Sequence, residues 1–260
     1  MPGVRGTAEG PGGGLSAADP AAAGVEFSAG GLALLPPFVP LHGVARWSTR
    51  LLLATGGLAA LSLGVEIAQL RLLLQPIEGE AARQLARTAQ AATGGVLGAA
   101  RVALLVATAT AFLVWLYHAR ANVRALGVRR PRFNRGWAVG AFLVPGLNLV
   151  RPPAVVAEIW QASDPAILDP FGWRSAHVPP LVRLWWVACL AWAALAGLAL
   201  FTDLTAGVVL GRLRLAAALC ATADASACAA TAFAWLLVTR LGDAQHAKWE
   251  RLRASRGEGN

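Results

Sequence analysis

Charge is what this chain of 260 residues has little of: Asp, Glu, Lys and Arg make up 14% of it, against about 25% in an ordinary soluble domain. Lys248 is the single lysine, and Tyr and Met occur once each. A chain that is also 56% hydrophobic lacks the material for a well-solvated globular surface, which argues against a soluble enzyme. The motifs that carry well-known chemistry are missing too. There is no H-E-x-x-H, no G-x-S-x-G and no Gly-x4-Gly-Lys loop, and His42, His118, His177 and His246 fall in separate segments. Zinc hydrolysis, a nucleophile elbow and a phosphate loop therefore have no support, and neither a metal nor a cofactor is expected. Cys189, Cys220 and Cys228 are odd in number, lie in apolar windows and form no C-x-x-C, so they read as packing residues rather than disulfide or metal ligands. A secretory leader needs an early basic region, an apolar core and a cleavage site. The opening "MPGVRGTAEGPGGGLSAADPAAAG" has one Arg and no such core, so we expect an uncleaved chain that enters the membrane through its first span.

What the chain has is long apolar runs. Leu51 to Leu74, Val96 to Tyr117 and Leu181 to Phe201 each reach the roughly 20 residues that a helix needs to cross a bilayer. A fourth window, Leu215 to Val238, is longer and more polar. Between the second and third lies "GWAVGAFLVPGLNLVRPP", Gly136 to Pro153, which is uncharged for fifteen residues but broken by Pro-Gly-Leu-Asn. Its first arm, Gly136 to Pro145, makes a helix of about 15 Å, half a hydrocarbon core. Pro152 and Pro153 favour the first turn of a second helix. On that second arm Val155, Val156, Ile159 and Trp160 share one face, with Arg151 and Glu158 on the opposite one.

The net charge of +9 comes from arginines with a definite placement. Arg120, Arg124, Arg129, Arg130, Arg132 and Arg135 follow the second window, and Arg240, Lys248, Arg251, Arg253 and Arg256 follow the fourth. This is the pattern of juxtamembrane charge rather than of a nucleic-acid face. With four spans, both termini cytoplasmic and the interrupted segment not crossing, seventeen basic residues lie inside and six outside. If that segment crossed, the C-terminal five would move outside, against the positive-inside rule. All tryptophans but Trp192 then fall at or near the cytoplasmic side, as interfacial indoles prefer.

The expected architecture is all-α: an integral membrane bundle of four transmembrane helices with a re-entrant or interfacial helical hairpin between helices 2 and 3. Residues 1–43 read as a disordered Gly/Ala/Pro-rich cytoplasmic tail, 44–243 as the transmembrane domain and 244–260 as a basic cytoplasmic tail. The spans are placed at about 50–73, 96–118, 181–203 and 215–239, the hairpin at 136–163, and a short exposed helix within 77–95. The expected location is the inner membrane of a bacterial cell, in keeping with an Arg and Ala bias that suggests a GC-rich genome.

Two stretches carry a resemblance. "WLYHARANVRALG", Trp115 to Gly127, and "PRFNRGWAVGAFLVPGLNLVRPPAVVAEIWQAS", Pro131 to Ser163, resemble the domain-of-unknown-function 4328 (DUF4328) family of bacterial multi-pass membrane proteins. The family's Arg-Ala-x-x-Asn-x-x-Ala-Leu-Gly helix end falls on Arg120 to Gly127, although Asn122 comes two residues after Arg120 here and departs from that spacing. Its Gly-Trp-Ala-Val-Gly segment falls on Gly136, Trp137 and on to Gly140. Its Val-Pro-x-x-Asn-Leu-x-Arg-Pro turn falls on Val144, Pro145, Asn148, Arg151 and Pro152, and its Glu-Ile-Trp helix on Glu158 to Trp160. The resemblance implies a multi-pass membrane protein and no activity.

Two groups of residues are candidates for function. Asn148, Arg151 and the free N–H groups of the second arm, with Arg120 and Arg124 close by, suit an anionic headgroup or an acidic partner. Glu66, Arg101 and Asp224 are intramembrane ionisable residues at comparable depth, which are costly there. Either Glu66 or Asp224 pairs with Arg101 and fixes helix packing, or the three relay a proton or ion, with Thr222 and Ser226 as flanking ligands. The leading expectation is a non-enzymatic membrane interaction or scaffold module with a basic, Trp-rich cytoplasmic face. It would bind the lipid bilayer, anionic headgroups or a protein partner, and no nucleic acid. The alternatives are a small transporter or channel built on the three intramembrane charges, and a membrane-embedded enzyme.

Overall fold

In the computed structural model, residues 36–75, 96–205 and 210–257 and positions 81, 84 and 88 are described. The expected tail up to residue 35 and most of the expected helix at 77–95 lie outside the described residues. The described residues are all helical in architecture, without strands. α1 is His42–Leu74, α2 Val96–Ala125, α3 Arg135–Leu143, α4 Leu147–Ala162, α5 Pro180–Thr205 and α6 Leu210–Gly257, with a 3-10 turn at Gly172–Ser175. Four of them, α1, α2, α5 and α6, are long and apolar enough to cross a membrane. α6, at 48 residues, is about 70 Å long, so it extends well beyond a hydrocarbon core of about 30 Å.

α6 is the central post, packed against α1 on one side and α5 on the other, while α2 packs on α1. Neighbours run antiparallel, because the start of α1 meets the end of α2 and the end of α6. Where α1 and α6 pass closely, Gly56 faces Thr231: a Cβ built on Gly56 would come within 2.7 Å of the Thr231 hydroxyl oxygen. Buried Ser48, Ala59, Ser62, Ala217 and Ala221 line the same kind of approach, in which small side chains let helix backbones come together. Thr55 and Thr108 share a 2.7 Å hydrogen bond between α1 and α2. The large apolar side chains left outside, such as Leu61, Val102, Val187 and Leu204, face outward from the bundle as lipid-facing residues do.

The large-residue core gathers at one end, which we call the basic end. Phe112, Trp115 and Leu116 of α2, Val155, Val156 and Ile159 of α4, Trp185 of α5, and Leu237 and Leu241 of α6 form one cluster. α3 and α4 form the two arms of a hairpin set against α2 and α5. Asn134 caps α3, its side chain accepting from the Trp137 N–H at 2.7 Å. Gly127 (φ 75°) ends α2 and Gly146 (φ 80°) makes the turn between the arms, both in the left-handed region that glycine enters freely.

The prolines act differently from expectation. α4 begins at Leu147, so Pro152 and Pro153 lie inside the helix rather than in its first turn. Pro153 has no N–H to donate to the carbonyl of Leu149, four residues back. The indole N–H of Trp186, from α5, donates to that carbonyl instead at 2.8 Å. A neighbouring helix thus satisfies what the proline frees, which is how membrane helices tolerate proline.

Candidate functional site

The hydrogen-bonded centre of the basic end joins four segments. Asn122 of α2 grips the backbone of Val39, accepting from its N–H at 3.1 Å and donating to its carbonyl at 2.8 Å. It also donates to Gln245 Oε1 of α6 at 3.2 Å. Gln245 in turn donates to the Ala119 carbonyl at 2.9 Å and to Ser163 Oγ at 3.1 Å. Lys248, one turn further, donates to the Ala162 carbonyl at 2.9 Å. Asn122, Gln245, Ser163 and Lys248 are all buried, so each bond is made where water cannot replace it and an unmade one would be costly. Phe38 stacks on Trp249 and His42 meets His246 edge-on beside this network.

The second buried group is ionic. Glu158 of α4 accepts from the N–H of Arg132 at 2.9 Å and of Phe133 at 3.1 Å. Arg120 of α2 pairs with Glu158 at 3.9 Å and donates to the Phe133 carbonyl. Three expectations are corrected here. Arg120 is 1% exposed and its charge is met by Glu158, so it does not stand open beside Arg124. Glu158 does not share a free face with Arg151, because the loop 128–134 folds over it. Lys248, expected among the exposed charges of the C-terminal tail, is 1% exposed because α6 continues as one helix to Gly257 and the C-terminal end of α4 lies against it.

Arg124 and Arg151 are exposed and Asn148 is half-buried. The N–H groups expected to be free at the start of α4 are partly spent: those of Asn148 and Leu149 donate to the carbonyls of Val144 and Gly146. Gly136, Trp137 and Gly140, with Asn134 and Val144, line a shallow groove of about 310 Å³. Pro145 is exposed and Pro152 buried.

At the opposite end Glu66, Arg101 and Asp224 do come together from three helices. Arg101 Nη2 donates to Asp224 Oδ1 in an ion pair, and Glu66 lies within electrostatic range of both. Of the two pairings expected, the one with Asp224 forms. Thr222 and Ser226 do not join in: Thr222 is exposed and donates to Ala218 and Leu219 carbonyls, and Ser226 to that of Thr222. Among the described residues no cluster of three or more His, Cys, Asp or Glu is placed to hold a metal. The cysteines are free thiols.

Sequence reasoning passed over Gln245 and Ser163. The signal was present: Leu237, Leu241, Gln245 and Lys248 follow helical spacing, so the buried stripe of α6 runs past the end of its apolar window. A model of one protein family, described as a domain of unknown function, DUF4328, matches residues 79–243. No curated protein and no solved structure matches the chain.

Proposed function

The chain belongs to the DUF4328 family, and from that premise we propose that it is a non-enzymatic interaction module of a bacterial inner membrane. Its basic end faces the cytoplasm and binds anionic lipid headgroups. One observation carries this reading. Glu158 is the only acidic residue between Arg120 and Ser163, and it is buried against Arg120. The exposed charge of that whole segment is therefore positive: Arg124, Arg129, Arg130, Arg132 and Arg151. Exposed Trp137, Leu143, Leu149 and Val150 are interleaved with it, the mixture that suits the boundary between headgroups and acyl chains.

The same exposure favours the interfacial placement of α3 and α4. α3 has nine residues, about 13 Å, too short to cross. Its turn at Pro145 and Gly146 is exposed, and irregular backbone open to hydrocarbon is not tolerated. The turn therefore sits at headgroup level, with Leu149 and Val150 dipping into the acyl region.

The test is lipid retention in native mass spectra of the purified protein released from micelles of mixed phosphatidylglycerol and phosphatidylcholine. Wild type is expected to keep phosphatidylglycerol selectively. Each basic residue near an anionic surface contributes about 1 kcal/mol, so the triple variant Arg124→Ala, Asn148→Ala, Arg151→Ala should lose most of that preference, by ten-fold or more. Retention without headgroup selectivity, or selectivity unchanged in the variant, overturns the proposal.

A further inference from the structure

At the end of the bundle away from the arginine-rich segment, one guanidinium is ion-paired to Asp224, and a second buried carboxyl, Glu66, lies within electrostatic range of both. Arg101 is committed to Asp224 Oδ1, and Asp224 Oδ2 is buried with no hydrogen-bond partner among the described residues. Glu66 is 5% exposed, and the charges acting on it are Asp224 and Arg101. With both carboxyls ionised the site carries one uncompensated negative charge inside a membrane-spanning bundle, a state that costs several kcal/mol.

Among the described residues no neighbour supplies the missing positive charge. On α6, Cys228 lies one turn beyond Asp224 and donates to the Gly56 carbonyl, and Cys220 lies one turn before it. Arg214 of α6 spends its Nε–H on the Leu73 carbonyl at 2.8 Å, and Arg212 has a partner of its own. Arg71 of α1 is exposed. From α5, the described ionisable side chains Arg183 and Cys189 lie toward the basic end. A metal cation is also poorly served. Hard cations gather about six or more oxygens, whereas Thr222 and Ser226 are turned to their own helix and Arg101 already covers Oδ1. What is left is Asp224 Oδ2 and the Glu66 carboxyl, two buried acceptors with one guanidinium between them, which suit a single proton.

We propose that Glu66 and Asp224 hold one proton between them, making the Glu66–Arg101–Asp224 triad a proton-binding site. The proton enters from the aqueous phase and binds a carboxylate oxygen. Its release returns both carboxylates and one charge to the site. The proposal is independent of lipid binding at the basic end.

The experiment is infrared spectroscopy of the full chain in lipid nanodiscs as pH is raised, following the C=O stretch of a protonated, non-aqueous carboxyl. A band present at neutral pH, moved by deuterium exchange and lost at alkaline pH, is expected in wild type. Loss of that band in Glu66→Gln and its retention in Glu66→Asp are also expected, each variant first shown to elute as a folded particle. Asp224→Asn serves as the second variant should Glu66→Gln not fold, and is expected to alter or abolish the band. Absence of the band at neutral pH, or its survival in both Glu66→Gln and Asp224→Asn, overturns the proposal. Displacement of the band by sodium at constant pH, but not by choline, overturns it in favour of a metal cation.

Discussion

At the basic end, polar groups are buried among large apolar side chains and many have a named partner: Asn122 with Val39 and Gln245, Gln245 with Ala119 and Ser163, Glu158 with Arg120 and two backbone amides. The N–H groups at Arg120 Nε and Nη1, Arg135 Nε and Trp115 Nε1 are buried without an acceptor among the described residues. At the opposite end, three charges stand between helices that touch mostly through small residues, and among the described residues one carboxylate oxygen is left without a partner. Both ends bury ionisable groups, yet only the first surrounds them with loops and helix ends that supply backbone donors and acceptors. The contrast separates a site whose spare groups are N–H donors, set among loops that lend backbone partners, from one whose spare group is a carboxylate acceptor able to take a proton. It follows from where the backbone is available, because a membrane-spanning helix uses its own amides and carbonyls and has none to lend.

The sharpest way to break this contrast is Glu158→Ala. It strands the Arg120 guanidinium in the core and removes the acceptor for Arg132 and Phe133, and breaking a buried pair in this way costs about 3–5 kcal/mol. Reversible unfolding in mixed micelles should show that loss, and a change near zero would mean that the basic end is not the structural one. Asn122→Ala comes next. It leaves the Val39 backbone and Gln245 Oε1 without their partner, at about 1–3 kcal/mol in total, and should make the segment before α1 more open to protease while α2 stays protected. The smallest effect belongs to the opposite end: Arg101→Met combined with Asp224→Leu replaces the whole pair by apolar groups of similar size. Such replacement is often close to neutral, so the same unfolding assay should register less than about 1 kcal/mol. A cost rivalling that of Glu158→Ala would erase the distinction between the ends.

The four long helices were legible because apolar length is a composition signal that survives without neighbours. The convergence of Glu66, Arg101 and Asp224 was legible as well, since antiparallel spans of known length bring residues of equal depth together. The interior of the basic end was not. Helical spacing put Glu158 on the side opposite Val155 and Ile159, and only the loop 128–134 closing over that side makes it interior. Lys248 looked like juxtamembrane charge because nothing in its neighbourhood says that α4 will lie across it. The Pro152–Pro153 pair misplaced the start of α4, since local proline rules take no account of a donor arriving from a residue 37 positions away.

That donor also imposes an order on assembly. During synthesis α4 emerges with the Leu149 carbonyl left to water or headgroups, because Pro153 occupies the position whose amide would bond it within the helix. The helix is completed only when Trp186 has been made and α5 has docked. The proline thus makes the hairpin's maturation report on whether the third long helix has arrived.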